Sequence, residues 1–159
     1  MNRVGIGYDV HPFAEGRECY LGGVKIEYEK GLEGHSDADV LIHAIADALL
    51  GCIGEGDIGY HFPNNDPQWK DVRSTVFLEH IAKMYKERSV TINNVDATVI
   101  AEAPKILPHL ENMRKTLSEP LGITTQQITV KATTNEKMGF IGRKEGVAAM
   151  AVASVEIDF

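Results

Sequence analysis

Apolar and polar residues follow strand-like patterns in four stretches of the chain: residues 2–10, 90–101, 128–132 and 147–157. Alternation with a period of two predicts that the first three are β-strands with one buried face. The last stretch is small and apolar on both faces, which is typical of a central strand or a strand at a subunit contact. Pro12 is expected to end the first strand, because proline has no N–H to donate. A short hairpin is predicted over residues 20–26.

Two later stretches, residues 73–88 and 105–118, repeat apolar residues at every third or fourth position. This spacing predicts amphipathic helices. Ser74 or Thr75 is expected to cap the first of them. Pro108 fits only in the first turn of the second, where its missing N–H costs no hydrogen bond.

The order of these elements predicts an α+β fold. Two of the long connections carry helices, so part of the sheet should be parallel. The economical arrangement is a two-layer sandwich, in which helices cover one face of a mixed, mainly four-stranded sheet. The other face must then meet something, and a sister subunit is the obvious candidate. The expectation is one domain over residues 1–159.

Composition excludes several classes of protein. The net charge of −7 argues against a nucleic-acid-binding protein, which would need a basic face. No run approaches the roughly 18 apolar residues of a membrane span, so no membrane partner is expected. Cys19 and Cys52 are too few for a disulfide framework, and a reducing cytoplasm is the simplest location.

An earlier helix begins within residues 35–43, runs to about Cys52, and carries His43 on its polar side. Asp39 and Asp47 lie one turn before and one turn after this histidine. A helix face with such a charge ladder is more often simply solvated. The alternative is that a rigid helix holds reactive side chains still.

A second group of polar residues makes the reactive alternative stronger. Asp9 and His11 lie two positions apart at the end of the first strand and should point to the same side. Taken alone, Asp9 and His11 fit two interpretations equally well: a pair of metal ligands, or a turn aspartate beside an exposed histidine. With His43 they supply two imidazoles and one carboxylate, the pattern of a catalytic zinc site with one open position. Asp39 or Asp47 could orient His43 through its other ring nitrogen, and the spacing does not choose between them.

Residues 131–137 form a further polar cluster at a strand end. Hydroxyls, backbone N–H groups and lysines there suit phosphate oxygens. Glu136 suits a hard cation such as Mg²⁺. A threonine-rich strand that ends in a polar turn explains the same residues without any chemistry. Residues 61–67 form a polar loop with two prolines, whose length is that of a possible lid.

Several motifs in one order resemble those of the 2-C-methyl-D-erythritol 2,4-cyclodiphosphate synthase family. The resemblance runs nearly end to end, and the motifs that carry it are residues 7–11, 22–24, 35–39, 43–44, 47–51, 56–59, 62–63, 103–105, 131–134 and 139–143.

The resemblance implies an enzyme of the non-mevalonate isoprenoid pathway. Such an enzyme closes 4-diphosphocytidyl-2-C-methyl-D-erythritol 2-phosphate into a cyclic diphosphate and releases CMP. It also implies a homotrimer with active sites between subunits. Zinc (Zn²⁺) would be held by Asp9, His11 and His43, and Mg²⁺ or Mn²⁺ by Glu136.

The resemblance further implies which residues contact the substrate. His35 and Thr134 would stabilise the transition state, and Ser36 would position the 2-phosphate. The phosphates and the methylerythritol part would meet Asp9, Val10, His11, His35, Ser36, Asp57, Ile58, Gly59, Phe62, Pro63, Asn64, Asn65 and Asp66. The cytidine and its diphosphate would meet Ala101, Glu102, Ala103, Pro104, Lys105, Ile106, Leu107, Ala132, Thr133, Thr134, Asn135 and Glu136. Phe140 and Arg143 complete the implied set.

The chain departs from the family pattern at a few of these positions. Asn64 and Asn65 stand where acidic or small residues are expected, Glu102 stands where an amide is expected, and Asn135 where a hydroxyl is expected. Two other functions fit the same residues. One is a zinc phosphoesterase that activates water, and the other is a trimeric metal- or nucleotide-binding module without chemistry.

Overall fold

The computed structural model describes residues 1–158, and within them the chain forms seven strands and five α-helices. The strands are β1 (Asn2–Ala14), β2 (Cys19–Leu21), β3 (Val24–Ile26), β4 (Gly31–Leu32), β5 (Val90–Ile100), β6 (Ile128–Thr133) and β7 (Gly146–Ile157). The helices are α1 (Val40–Cys52), α2 (Ile58–His61), α3 (Thr75–Glu87), α4 (Leu110–Leu121) and α5 (Gly139–Gly142). Short 3-10 turns cover Pro67–Trp69, Leu107–His109 and Thr125–Gln127. The predicted domain end at Phe159 lies outside the described residues.

In residues 1–158, five strands form one mixed sheet in the order β4-β1-β7-β5-β6, and β2 pairs with β3 apart from it. The β5–β6 pair is parallel, while β7 runs antiparallel to both of its neighbours. These observations confirm the α+β class, the mixed sheet and the central position of the last strand. The predicted count of four strands was short by β4, whose two residues are too few to produce an alternating pattern.

The prediction that Pro12 ends the first strand was wrong. β1 continues to Ala14, and Pro12 lies opposite Gly146 of β7. Proline lacks only the donor, and its carbonyl oxygen still accepts the N–H of Glu33 at 2.9 Å. The strand therefore carries His11 within regular sheet rather than in a loop.

Helix α1 is buried on nearly all sides. It packs on β1 and β7 and is covered by α3. Asp39 is fully buried, and only 5% of His43 is exposed. The interpretation of Asp39 and His43 as part of a solvated helix face was therefore wrong for these described residues. Periodicity could not show this, because it does not tell how many elements pack around a helix.

Two glycines of β1 set how closely α1 approaches the sheet. A Cβ atom built on Gly7 would lie 1.8 Å from the carbonyl oxygen of Ala44, and one built on Gly5 would lie 1.9 Å from that of Ala48. No side chain fits in this space. Glycine at both positions lets the helix backbone rest directly on the strand, which brings His43 next to Asp9.

The opposite face of the sheet is apolar and uncovered. Val4 and Ile6 are 68% and 67% exposed, and Tyr8, Val10, Met150 and Val152 share this face. No helix within residues 1–158 combines the length and the apolar character needed to cross a membrane.

Helix α4 begins later than the helix predicted over residues 105–118, and it also ends later. A 3-10 turn over Leu107–His109 contains Pro108 and leads into α4, which confirms that this proline lies in a first turn. Gly122 ends the helix in the left-handed conformation, with φ 66°.

Candidate active site

Three predicted metal ligands converge where β1 passes the first turn of α1. Asp9 Oδ2 lies 2.9 Å from His11 Nε2 and 3.0 Å from His43 Nδ1. The two ring nitrogens are 3.3 Å apart. We call Asp9, His11 and His43 the Asp-His-His cluster.

The cluster fits a divalent metal ion. Ligand atoms bonded to tetrahedral zinc at about 2.0–2.1 Å lie about 3.3–3.4 Å from one another. The observed separations of 2.9 to 3.3 Å come close to this spacing. His11 Nδ1 lies 2.7 Å from the carbonyl oxygen of Glu33 and donates to it, which leaves Nε2 free to bind a metal.

The charges within the cluster also favour a cation. Burial by itself would raise the pKa of Asp9, but hydrogen bonds to His11 and His43 and the charges of both rings lower it to about 2. For His11, burial lowers the pKa, while its contacts with Asp9 outweigh burial and raise it. Asp9 therefore stays ionised at neutral pH and supplies the negative charge that a divalent ion needs.

Neither carboxylate proposed to orient His43 contacts its ring in the described chain, so that prediction was wrong. Asp39 caps α1 instead, accepting the backbone N–H groups of Ile42, Gly22 and Gly23 at 2.7 to 3.0 Å. Burial and the nearby Asp37 raise the pKa of Asp39 to about 6, although its hydrogen bonds act in the opposite direction.

Asp47 also has a different partner. Its Oδ1 accepts the backbone N–H of Ile58 at 2.8 Å, and so it fixes the start of α2. Burial raises the pKa of Asp47, against the effect of this hydrogen bond. The carboxylate holds a segment that lines the site and does not hold the histidine.

The second nitrogen of His43 faces two serines. Its Nε2 lies 2.9 Å from Ser74 Oγ and 3.2 Å from Ser36 Oγ. Ser74 stands at the N-cap position of α3, where a serine was expected to cap the helix, but it makes no side-chain cap bond. Its hydroxyl is instead shared between His43 and Asp37.

A cavity of about 170 Å³ opens in front of the Asp-His-His cluster. Nine predicted site residues line it: Asp9, His11, His35, Ser36, His43, Ile58, Gly59, Phe62 and Asn64. Gly34, Trp69 and Phe77 also line it, and sequence reasoning did not name them as site residues. The volume suits a phosphate-sized group rather than a whole nucleotide-linked substrate.

The loop after α2 closes one side of this cavity. Phe62 stacks on Phe77 with ring centroids 4.4 Å apart, and Trp69 meets Phe62 edge-on at 5.0 Å. His35 Nε2 lies 3.0 Å from the carbonyl oxygen of Asp66, which ties the loop to the residue expected to stabilise the transition state. Whether this loop moves as a lid remains a prediction.

The other predicted residues gather at the ends of β5 and β6. Glu102 Oε1 accepts the backbone N–H groups of Asn135 and Lys137 at 3.0 and 2.9 Å. Thr134 Oγ1 accepts the N–H of Glu136 at 3.1 Å. We call residues 134–138 the strand-end loop. Two positions that depart from the family pattern, Glu102 and Asn135, therefore meet in one turn.

The strand-end loop and the cavity are apart within one chain. His11 pairs with Val147 of β7, the next residue of β7 pairs with Ile100, and Ile100 pairs with Thr133. Three strand spacings separate His11 from Thr133, or about 14 Å. Both groups lie along the same end of the sheet, but the residues that line the cavity do not include Thr134 or Glu136.

The remaining predicted residues lie around these two places. Val10, Asp57, Pro63, Asn65 and Asp66 are in the elements next to the cavity without lining it. In the segment after β5, Ala101, Pro104 and Ile106 are buried, whereas Lys105 and Leu107 are exposed. Phe140 is 42% exposed, and Arg143 pairs with Glu145 at 2.6 Å.

A larger groove of about 600 Å³ lies at the opposite end of the sheet, between the ends of α3 and α4. No predicted site residue lines it within the part of the chain that the structure describes. Volume alone therefore does not locate the chemistry.

Comparison with known proteins identifies the family. The family model for the YgbB family matches residues 2–156. The chain is 52% identical to the 2-C-methyl-D-erythritol 2,4-cyclodiphosphate synthase of Bacillus subtilis, over 98% of this chain and 99% of that protein. The chain belongs to this synthase family.

Solved structures of the synthase family share the fold. The IspF of Plasmodium falciparum, solved as a CDP complex, matches with a TM-score of 0.86 and 37% identity over 99% of this chain and 97% of that one. The bifunctional IspDF of Campylobacter jejuni matches with a TM-score of 0.90 and 38% identity. This chain spans 43% of that longer protein.

These matches confirm the predicted family and the prediction of an enzyme. They give no support to the zinc phosphoesterase. Ser74 and Asp37 were not predicted as partners of His43. Ser74 lies 31 residues from His43 along the chain, and Asp37, although it belongs to the motif of residues 35–39, reaches the ring only through the hydroxyl of Ser74.

Proposed function

We propose that this chain closes 4-diphosphocytidyl-2-C-methyl-D-erythritol 2-phosphate into 2-C-methyl-D-erythritol 2,4-cyclodiphosphate and releases CMP. An oxygen of the 2-phosphate bonds to the β-phosphorus, and the bond from that phosphorus to the bridging oxygen of CMP breaks. The observation that carries the proposal is the convergence of Asp9, His11 and His43 beside a phosphate-sized cavity in a chain of this family.

Asp9, His11 and His43 of the Asp-His-His cluster would hold zinc. Bound there, zinc would polarise a diphosphate oxygen and offset part of its charge. A zinc ion is favoured over harder cations because two of the three ligand atoms are imidazole nitrogens.

The residues of the cavity wall position the attacking phosphate. His35 and Ser36 line the same cavity as the metal ligands, so they can contact oxygens on the reacting phosphorus. Holding both phosphates of one flexible molecule in this cavity supplies proximity, which contributes much of the rate in such reactions. The attacking phosphate is already anionic and needs no general base.

The strand-end loop would hold the CDP part of the substrate. Glu136, an exposed carboxylate of this loop, would hold Mg²⁺ or Mn²⁺, which would offset the charge of the diphosphate. Thr134 would stabilise the transition state. The segment from Ala101 to Leu107, with Ala132 and Thr133, would form the cytidine pocket.

Two observations support a homotrimer in which neighbouring chains share each site. The separation of about 14 Å between β1 and β6 is wide for one diphosphate to bridge within a chain. The uncovered face with Val4, Ile6, Tyr8 and Met150 is also too apolar for a free surface of this extent. Packing of these faces in a trimer, with the sheets inward, would cover the apolar face and bring the two groups of residues together.

We also propose that residues 1–159 act as a single catalytic domain in the cytoplasm. The location is supported by Cys19 and Cys52, which are buried and free in the described chain and suit a reducing compartment.

Phosphorus NMR of the reaction with the CDP-linked substrate tests the proposed chemistry. We expect CMP and a cyclic diphosphate to appear together, and both to be lost when a chelator is added. In ¹⁸O-labelled water, the cyclase incorporates no label into its products. Labelled phosphate products would instead establish the phosphoesterase, and no turnover at all would establish the binding module.

Mixing two inactive variants tests whether sites are shared. His43→Ala disables one group of residues, and Glu136→Ala disables the other when the assay is run at a Mg²⁺ concentration too low to support that variant. If each site combines residues of two chains, trimers reassembled from an equal mixture should recover about one quarter of wild-type activity. The control is a variant that carries both substitutions in one chain, reassembled in the same way. It should recover no activity, because no chain supplies an intact residue at either position. An absence of recovery in mixed trimers would place each site within one chain.

A further inference from the structure

A buried serine and a buried aspartate lie behind His43, and neither belongs to the predicted site. Ser74 is fully buried, and Asp37 is 8% exposed. Ser74 Oγ lies 2.9 Å from His43 Nε2 and 2.5 Å from Asp37 Oδ1. Asp37 Oδ2 also accepts the backbone N–H of Ser74 at 3.0 Å. A continuous hydrogen-bonded chain therefore leads from the carboxylate through the hydroxyl to the ring.

The chemistry of the three groups fixes the direction of each hydrogen bond. An ionised carboxylate can only accept, so the single hydroxyl hydrogen of Ser74 points to Asp37. Ser74 Oγ then accepts from its closest remaining neighbour, His43 Nε2 at 2.9 Å, while Ser36 Oγ lies farther away at 3.4 Å. On the other side of the ring, Nδ1 lies 3.0 Å from Asp9 Oδ2, so a hydrogen on Nδ1 could be donated to Asp9 when no metal is bound. A cation held by Asp9, His11 and His43 excludes that hydrogen, and the hydrogen bond from Nε2 to Ser74 is then the one that keeps the ring neutral with its lone pair on Nδ1.

The surroundings of Asp37 hold it in the accepting form. Its Oδ1 accepts the backbone N–H of Asp39 at 3.1 Å, and Arg73 Nε lies 3.4 Å from its Oδ2. All these neighbours present hydrogens to the carboxylate, so it has no reason to donate one to Ser74.

We propose that Asp37 and Ser74 are positioning residues that keep His43 in its Nε2–H tautomer and thereby present Nδ1 to the zinc ion. The proposal rests on the zinc site of the proposed function. Groups that fix the tautomer of a metal-binding histidine affect metal affinity about 10–100-fold. A purely structural tie between α3 and Asp37 would leave the zinc affinity of the folded protein unchanged.

Four variants separate the two roles. Ser74→Ala removes the acceptor for the ring hydrogen, while Ser74→Thr keeps a hydroxyl in its place. Asp37→Asn preserves shape but can turn an N–H toward Ser74, which would reverse the hydrogen-bonded chain. Ser118→Ala is the matched control, because Ser118 is a buried serine that donates only to Lys115 of its own helix.

The measurement is the zinc dissociation constant of the metal-free protein, determined by competition with a chromophoric chelator. We expect binding to weaken about 10–100-fold in Ser74→Ala and Asp37→Asn, and to stay within about threefold of wild type in Ser74→Thr and Ser118→Ala. Equal affinities in all four variants would overturn the proposal. If Ser74→Ala does not fold, Asp37→Asn and Ser74→Thr still decide the outcome.

Nitrogen NMR of the zinc-loaded wild-type protein gives a second, direct readout. We expect zinc on Nδ1 and the ring hydrogen on Nε2 in the wild type. At a zinc concentration that just saturates the wild type, we expect a fraction of metal-free His43 rings in Asp37→Asn. A wild-type ring that carries its hydrogen on Nδ1 would also overturn the proposal. CMP release is measured separately, so a protein that binds zinc without releasing CMP contradicts the proposed reaction and leaves the positioning role intact.

Discussion

The Asp-His-His cluster lies in the packed contact between helix and sheet, whereas the strand-end loop lies on the surface. Asp9 and His43 are held by strand β1, helix α1 and several hydrogen bonds, and His43 is 5% exposed. Glu136 is exposed, and in the described chain its local geometry depends on Thr134 and on the turn that Glu102 holds.

The difference reflects what each group is expected to do. A metal site with three protein ligands needs fixed geometry, because small displacements weaken every bond to the ion. A cation that bridges substrate phosphates is held largely by the substrate itself and needs fewer protein ligands. Substitutions should therefore affect the cluster sharply and the loop mildly, and the following four predictions test this contrast.

The largest effect is expected for Asp9→Asn. Loss of the carboxylate charge should lower zinc content and reduce kcat/KM on the order of 10³-fold, equivalent to about 4 kcal/mol. Metal analysis and steady-state CMP release measure the two quantities. Asp71→Asn is the control, since Asp71 is exposed and asparagine tolerates its positive φ. Full zinc occupancy with normal turnover in Asp9→Asn would remove Asp9 from the cluster.

A single methyl group should also disturb the cluster through packing. In Gly7→Ala the new Cβ would lie 1.8 Å from the carbonyl oxygen of Ala44, so α1 must move away from β1. We expect a loss of about 3 kcal/mol in the free energy of unfolding, measured with urea.

Gly51→Ala is the matched control for this substitution. Its new Cβ would meet nothing closer than 3.8 Å, and alanine favours the helix by about 0.5–1 kcal/mol. A Gly7→Ala protein as stable as this control would show that α1 does not rest on the strand.

A moderate and more selective effect is expected for Glu136→Ala. The Mg²⁺ concentration that gives half-maximal activity should rise by at least about tenfold, while zinc stays bound. A Mg²⁺ titration with parallel zinc analysis measures this, with Glu111→Ala as a control at an exposed carboxylate of α4. An unchanged titration would assign the second metal to other ligands.

The smallest effect is expected for Glu102→Ala. Two backbone N–H groups would lose their acceptor, and hydrogen exchange at Asn135 and Lys137 should accelerate about tenfold, or about 1.4 kcal/mol. Glu102→Gln keeps an oxygen acceptor and should exchange nearly as slowly as wild type. Zinc content should remain unchanged in both variants. Equal exchange in Glu102→Ala and wild type would show that the loop keeps its form without Glu102.

Local pattern predicted most of the secondary structure. Alternation identified β1, β5 and β6, a run of small apolar residues identified β7, and apolar spacing identified α1, α3 and α4. The backbone geometry of strands and helices sets these periods. Short elements were missed: β4 has two residues and leaves no period to detect. The prediction for Pro12 was wrong because a proline ends a strand only where its N–H is needed. Here the neighbouring residue Glu33 uses the carbonyl oxygen of Pro12, which proline still supplies.

The candidate site was predicted in parts. The spacing of Asp9 and His11 along one strand placed them together, and the ligand chemistry of two imidazoles and one carboxylate added His43. The family resemblance added the residues around the cavity. The partners of His43 could not be predicted. Asp39 and Asp47 have ideal helical spacing from it, but their carboxylates are committed to the backbone of Gly22 and Ile58.

The amino-acid sequence by itself determined the order of strands and helices, the family and the three residues of the Asp-His-His cluster. Only the tertiary structure decided that α1 is buried on both its apolar and its polar sides, that Ser74 contacts the far side of the His43 ring, and that Asp37 reaches the ring through Ser74. It also decided that three strand spacings, about 14 Å, separate His11 from Thr133, the residue before the strand-end loop, in one chain. The physical reason is that sequence spacing fixes neighbours along an element, whereas burial and hydrogen-bond partners depend on which other elements pack against it.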